Sequence, residues 1–490
     1  MKKILCLIIC LLFKDSLFGQ TVSLFHSGTL YDGFENPVQQ TFIKDFSRKY
    51  AINLFPHLHS NFNFNGDAQT AFKSIIFTKS YTNSNFGSGN YLNDNNINFN
   101  TSLYLFTYKI FKTTNYNREL GISLKLNNEG TADIKNGTFS LLDSYTNFNN
   151  SSSYNGIFNN SFRNQSYWQL GINYRENYDE KWAFGGKFSI LNGTSFNKLN
   201  INQSQIAINS NDSYNLALAG TYQSSFGIDS VNLKRLIPNL RNFGFSLSAG
   251  TSYTSKNGLY LSANITDLGF INWGNNSSNY QFDDQVTVFN ASQPGAVSQL
   301  FSEFEEMLNV SETKNNFKSL IDGKINFAAS QKLGFYKPTA VFNKSLFNPN
   351  GQIALLNTFN KGNFNLSINP IYDFVSKLNL GSQIMIKSAN AEFYLGTEQI
   401  FPTYYFSKGY LTQNANIGRN MPRASIYLGL SIKFGPKMQD MGNADEIPGL
   451  NDQVTGFVVK LPNKQRKALE KKNREIEKRR RGNNKRNRKN

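Results

Sequence analysis

Apolar and polar residues take turns along most of the chain. Leu120, Ile122, Leu124 and Leu126 are separated by Gly121, Ser123 and Lys125, and Trp168, Leu170, Ile172 and Tyr174 by Gln169, Gly171 and Asn173. Phe243, Phe245, Leu247 and Ala249 follow the same rule. After a Ser255-Lys256-Asn257-Gly258 turn it resumes through Leu259, Leu261, Ala263 and Ile265. Ile426, Leu428, Leu430, Ile432 and Phe434 close the series, with Tyr427, Gly429, Ser431 and Lys433 between them. Successive side chains of a strand point to opposite faces, so this period of two predicts strands with one apolar and one polar side. About sixteen are predicted, fourteen being the lower count, with edges good to roughly two to four residues. They lie near 49–64, 97–112, 118–127, 165–176, 181–192, 198–209, 213–224, 241–254, 258–268, 323–335, 338–347, 352–360, 362–374, 377–388, 390–399 and 423–435.

Composition agrees with strands. Of 490 residues, 14% are aromatic and only 17% charged, with Asn, Ser, Thr and Gly filling the deficit. Asn, Ser and Gly are weak helix formers, while Phe and Tyr favour pleated surfaces. A soluble multidomain enzyme carries about a quarter charged residues, which speaks against that class. The net charge of +18 suggests nucleic acid until it is mapped: 15 Lys and Arg stand against three Glu between 460 and 490, so +12 belongs to a tail. The body is nearly neutral.

Lys2 and Lys3 precede an unbroken apolar run from Ile4 to Phe13, and Gly19 stands before Gln20. That order reads as a secretory signal peptide over 1–19. Both cysteines, Cys6 and Cys10, fall inside it; a lipoprotein anchor at Cys10 is disfavoured because Ile8 and Ile9 are not small. No later stretch is long and apolar enough for a membrane helix. An exported, strand-forming chain fits the bacterial outer membrane, which a closed barrel can cross because closure satisfies every backbone N–H and C=O.

The expected fold is therefore an all-β, transmembrane, antiparallel up-and-down barrel over 49–435. Residues 20–48 precede it as a lumen plug or periplasmic arm, and 436–490 follow as a periplasmic linker and a basic tail, disordered when free. With the N-terminus in the periplasm, tight turns at Thr113 to Asn117, Asn177 to Glu180, Ser210 to Asp212 and Ser255 to Asn257 fall on the inner side. The long connectors 65–96, 127–164, 269–322 and 400–422 all fall on the outer side. Trp168, Trp182 and Trp273 stand at or just beyond strand ends, where an aromatic girdle would meet the membrane interface. Two soluble β-sandwiches would also alternate, but they would not put every long connector on one side.

Asp267-Leu268-Gly269-Phe270-Ile271-Asn272-Trp273 resembles a motif of Bacteroidota outer-membrane barrels known as a domain family of unknown function. Phe34-Glu35-Asn36-Pro37, Phe393-Tyr394-Leu395-Gly396-Thr397-Glu398 and the closing Leu428-Gly429-Leu430-Ser431-Ile432-Lys433-Phe434-Gly435 extend the likeness over most of 20–435. That family is similar in layout to the long-chain fatty-acid transporter (FadL) group and to the type IX secretion shuttle protein PorV group. In those groups an Asn-Pro-Ala segment near the N-terminus belongs to a hatch in the lumen. The resemblance therefore implies a hatch role for Phe34, Asn36 and Pro37, although Val38 replaces the Ala.

Four groups of residues are candidate sites. Phe25, Tyr31, Phe34 and Phe42 could fill a lumen wide enough to leak. His57 and His59 share a face with Asn53, Asn61 and Asn63, on the lumen side if Leu54, Leu58, Phe62 and Phe64 face lipid. Two imidazoles do not make a metal site and only His26 remains, so no metal, cofactor or catalytic residue is expected. Leu300, Phe301, Phe304 and Leu308 recur at helical spacing, giving a loop helix that either caps the pore or packs on neighbouring loops. Arg479, Arg480, Arg481, Lys485 and Arg486 mark the tail, suited to anionic envelope polymer, phospholipid headgroups or an acidic protein. Nucleic acid is not an expected partner, since export separates the two and the tail lacks aromatics for base stacking.

The function expected from these features is not enzymatic. It is passive uptake of a hydrophobic or amphiphilic small molecule by a lipid-embedded barrel. The alternative is an envelope or type IX secretion-associated scaffold whose tail recruits a periplasmic partner.

Overall fold

The computed structural model describes residues 22–437 apart from 81–85, 87, 114–115, 149–151, 210–211, 227–237, 239–240, 275, 294, 348–349, 376 and 419–421, together with Lys467, Lys471 and Glu475. The expected signal peptide and the tail residues Arg479, Arg480, Arg481, Lys485 and Arg486 lie outside the described residues.

The alternating segments pair edge to edge until the sheet meets itself. In chain order the principal strands are β1 (Arg48–Asn65), β2 (Asp94–Thr113), β3 (Arg118–Lys135), β4 (Ser161–Asn177), β5 (Trp182–Asn209), β6 (Ser213–Ser224), β7 (Phe243–Thr254) and β8 (Leu259–Trp273). They continue as β9 (Ser278–Phe289), β10 (Lys324–Gln331), β11 (Tyr336–Ser345), β12 (Gly351–Lys361), β13 (Phe364–Asp373), β14 (Lys377–Lys387), β15 (Ala391–Thr397) and β16 (Arg423–Lys437). All neighbours are antiparallel, and β1 pairs with both β2 and β16, as in Ile52 opposite Tyr108 and Ile432. Leaving out β6 and β9, the strands form a closed ring of fourteen. Closure excludes the pair of sandwiches, because neither sheet edge is left free.

The faces are sorted the opposite way from a soluble protein. On β7, Leu247 is 61% exposed and Phe243 and Phe245 nearly half exposed, while Ser246 and Ser248 are buried. The same holds for Ile172 against Asn173 on β4, Ile190 against Ser189 on β5 and Ile368 against Asn369 on β13. An apolar exterior around a polar interior suits a barrel in lipid.

Several sequence expectations fail, two of them together at Gly193 and Trp273. Two separate strands are expected at 181–192 and 198–209, yet β5 runs through the gap between them unbroken for 28 residues. A Cβ on Gly193 would stand 2.5 Å from the Trp273 indole, so the glycine marks a close approach and not a reversal. Trp273 is accordingly fully buried, its Nε1 donating to Ser319 Oγ at 2.8 Å, and belongs to no girdle. Trp168 lies within β4, half-buried, and not at its end. Of the three tryptophans only Trp182 keeps the expected place, at the start of β5 and 5.0 Å from the Tyr253 ring.

Because β5 does not turn back, β5 and β6 meet at the end opposite the junctions of β2 with β3, β4 with β5 and β7 with β8, and the expected inner turn at Ser210 to Asp212 falls mostly outside the described residues. The far half of β5 leaves the ring and pairs with β6, which pairs with β9, making a small sheet beyond the rim. The segment 213–224 is therefore not a barrel strand. Helix α3 (Ala296–Val310) packs there: Leu300 and Leu308 are buried with Tyr214, Leu216, Val286 and Val288, and Phe304 meets Phe282 edge-on at 5.7 Å. Phe301 is half-buried. The loop helix covers this outgrowth and does not cap the pore.

Leu54 faces outward as expected, but Phe64 is buried rather than lipid-facing. Helix α1 (Gln69–Thr78) lies over the long-connector end of the wall, with Phe72 at 4.4 Å from Phe64 and Ala71 and Ile75 beside it. Helices α2 (Asn136–Asp143) and α4 (Ile400–Leu411) occupy the other long connectors at this same end.

Candidate functional site

Residues 22–47 enter the barrel. Leu24, Leu30, Tyr31, Phe34 and Phe42 form one apolar cluster with the wall residues Tyr104, Phe111, Met385, Tyr394 and Tyr427. Val22 and Phe25 form another with Val341, Leu356 and Ile371. Of the hatch candidates, Phe34 is fully buried and lies against Gly121 and Tyr104, and Asn36 is buried beside it. The Pro37 carbonyl oxygen sits 2.0 Å from where a Cβ on Gly185 would stand.

A buried segment with little regular structure must find partners for its backbone, and here the wall supplies charged ones. Glu398 accepts from Val22 N–H at 2.8 Å, Glu392 from Leu30 N–H at 2.6 Å, and Glu119 from the N–H groups of Thr41 and Phe42, both at 3.1 Å. Lys109 and Asn173 donate to Gly33 O at 3.2 and 2.8 Å, Arg175 to Val38 O at 2.9 Å and Lys433 to Thr41 O at 2.7 Å. Hydrogen bonds to charged groups contribute about 1.5–3 kcal/mol each, so several together hold an irregular chain in place.

The plug carboxylate that pairs with the wall is Glu35, whose Oε1 takes Lys125 Nζ at 2.5 Å and the Tyr104 hydroxyl at 2.7 Å. On the neighbouring wall Asp267 takes Lys187 at 3.0 Å and Gln169 at 2.7 Å. Asp267 opens the Asp-Leu-Gly motif with a φ of 52°, and its N–H donates to Ser248 Oγ at 2.8 Å beside a bulge. That backbone turns the carboxylate inward while Leu268 faces out. Lys109 and Glu119 form a third pair at 2.9 Å, fully buried.

His57 and His59 both face the lumen and are buried. His57 Nε2 lies 2.8 Å from Ser431 Oγ, and its ring meets the plug's Tyr31 at 6.1 Å. His59 instead lines a small chamber of about 70 Å³ on the long-connector side of the plug, with Asn61, Asn63, Asn98 and Asn100. That volume holds a few waters, which would serve its two ring nitrogens. His26 stacks on Tyr260 at 3.8 Å, elsewhere in the plug. Among the described residues no three potential metal ligands cluster.

On the tight-turn side of the plug the lumen widens into a cavity of about 840 Å³. Its rim includes Asp179, held below the ordinary carboxylate range by hydrogen bonds from the N–H groups of Trp182 and Lys181. The alternation put Lys125 and Lys433 on the polar face, which was the signal for these two partners. Glu35 carried no such signal, since it lies outside any strand.

The fit at Gly185 gives a direct expectation. Gly185→Val should force the plug off the wall at a cost of about 1–3 kcal/mol, the usual range for overpacking. Conductance across planar bilayers should rise while the barrel still shifts its gel mobility on heating; an unchanged, silent barrel would show that Pro37 does not rest there.

A sheet closed on itself, apolar outside and filled by its own N-terminal segment, defines a plugged membrane β-barrel. The chain belongs to the family of unknown function DUF5723, which matches residues 41–398. Similar solved structures include the toluene transporter TodX of P. putida, at 7% identity over 80% of this chain and 91% of that one, with a TM-score of 0.37. The translocator domain of the autotransporter NalP from Neisseria meningitidis is 8% identical over 80% and 90%, with a TM-score of 0.28. The ferric preacinetobactin receptor BauA of Acinetobacter baumannii is 8% identical over 73% and 55%, with a TM-score of 0.23. No curated protein matches the chain.

Proposed function

We propose that this chain is an outer-membrane transporter for passive uptake of an amphiphilic or hydrophobic small molecule, closed at rest by its own N-terminal segment, and not an enzyme. One observation carries this: the lumen is filled by a segment held through side-chain hydrogen bonds and ion pairs and not built into the sheet. Such a barrier can leave without unfolding the wall. In this orientation the tight turns face the periplasm and the long connectors face outward. Liposomes containing the full protein, and a variant lacking Gln20 to Phe42, should differ in flux of an amphiphilic dye. Equal flux with protein, with the deletion and without protein would end the proposal.

The +12 tail favours a second role, an envelope scaffold of the kind the PorV-like layout suggests. Full-length protein, compared with a chain ending at Lys437, should then retain an anionic periplasmic component in a salt-sensitive way.

A further inference from the structure

Two lysines converge on one turn of the plug. Lys337 Nζ, from β11, donates to His26 O, and Lys387 Nζ, at the end of β14, donates to Ser27 O. Both side chains line the 840 Å³ cavity on the tight-turn side. Neither takes part in any ion pair among the described residues. The carboxylates nearest the turn, Asp32 and Glu392, attract the two lysines without touching them, and take their direct hydrogen bonds from Gly28 N–H at 3.0 Å and the Ser27 hydroxyl, and from Leu30 N–H.

Arg175 adds a third cation, its Nε on Val38 O at 2.9 Å and its Nη1 on Asn117 O at 3.1 Å. Lys181 and Lys332 line the same cavity, so its lining holds five cations and the carboxylates of Asp179 and Glu180, with Asp32, Glu119 and Glu392 buried behind it. Asp32 and Glu392 act on these ammoniums through space, but neither lysine has a carboxylate oxygen in direct contact, and its hydrogen bond goes to a neutral carbonyl. A phosphate or carboxylate in the same place would form bonds roughly twice as strong. The surroundings, walled by protein, screen charge less than open water does.

We propose that this chamber binds an anionic group, phosphate or carboxylate, which bridges Lys337 and Lys387 in exchange for the carbonyls of His26 and Ser27. Occupancy then frees one anchoring turn of the plug from the tight-turn side. The anion is either a free ion or the head of an amphiphile, since both present the same oxygens to the two lysines.

Calorimetric titration of the full-length protein in maltoside micelles tests this, with inorganic phosphate and decyl phosphate as probes and decyl maltoside as the uncharged control. At least one anion should bind, and the double variant Lys337→Gln/Lys387→Gln should weaken it tenfold or more. The pair Lys337→Arg/Lys387→Arg should keep it, as should Lys324→Gln beside the outer chamber. Equal affinity for the two phosphates identifies a free anion; decyl phosphate binding tenfold tighter identifies an amphiphile head. Binding of neither anion, or undiminished binding by the Gln pair, overturns the proposal. If the Gln pair does not fold, acetylation of the unaltered protein decides: phosphate should slow modification of Lys337 and Lys387 relative to Lys324, and equal slowing or none overturns it. Because binding is measured without flux, a bound anion with no transport would sink the uptake role and leave this site standing.

Discussion

A Glu35→Ala barrel should conduct ions where the unaltered protein is silent. Glu35 is the buried plug carboxylate paired with the wall, and its removal takes from Lys125, whose side chain is only 5% exposed, its direct partner and leaves it only the more distant Asp267, while the Tyr104 hydroxyl loses its acceptor. Breaking a buried pair from one side costs about 3–5 kcal/mol. At about 1.4 kcal/mol per factor of ten, the ratio of docked to released plug falls by two to three orders of magnitude or somewhat more. Glu35→Gln keeps an acceptor for Tyr104 but loses the charge, so it should fall between the two. Recordings from planar bilayers, with heat-dependent gel mobility to confirm the barrel, check this. Silence from a correctly assembled Glu35→Ala barrel would mean that the apolar clusters around Phe34 and Phe42 hold the plug without help.

Placing arginine at Leu247 should cripple assembly. Leu247 sits mid-strand on the outer face, 61% exposed between Phe245 and Ala249, on a wall whose inward neighbours are serines. An arginine facing the bilayer core of a barrel costs about 2–4 kcal/mol. In a water-soluble sheet the same exposed position would tolerate it within about 0.5 kcal/mol. Val310, 87% exposed on α3 beyond the rim, is the control and should accept arginine freely. Folding yield into lipid vesicles, read on gels without boiling, separates the outcomes. Normal yield for Leu247→Arg would remove lipid from the outer face.

These two expectations draw on different kinds of information. The exterior of the wall was legible residue by residue, because period-two alternation is a local property and lipid reads it directly. Phe245, Leu247, Leu261 and Ile426 all face outward as the pattern says. The same pattern put His57 and His59 inside, since both share parity with Asn53 and Asn63. It failed between 192 and 198, where two strands were expected and a single one runs on, with Gly193 making room for Trp273. It failed again at Phe64, whose outward face is covered by a helix from the next connector.

Glu35 shows where local information stops. Its partners Lys125 and Tyr104 are 90 and 69 positions away, and they meet it only because β2 and β3 place them opposite each other in register on the inner wall. The two lysines at the His26 turn lie more than 300 positions from it in sequence.

What the amino-acid order determined by itself is the sidedness of each strand and the class of solvent each side requires, because burial preference and backbone period are short-range. Closure at fourteen, the departure of β5 from the ring and the seating of the plug were decided only in three dimensions. Each of those depends on which distant edges and charges come into contact, and an unpaired edge or an unmatched buried charge costs too much to be left over.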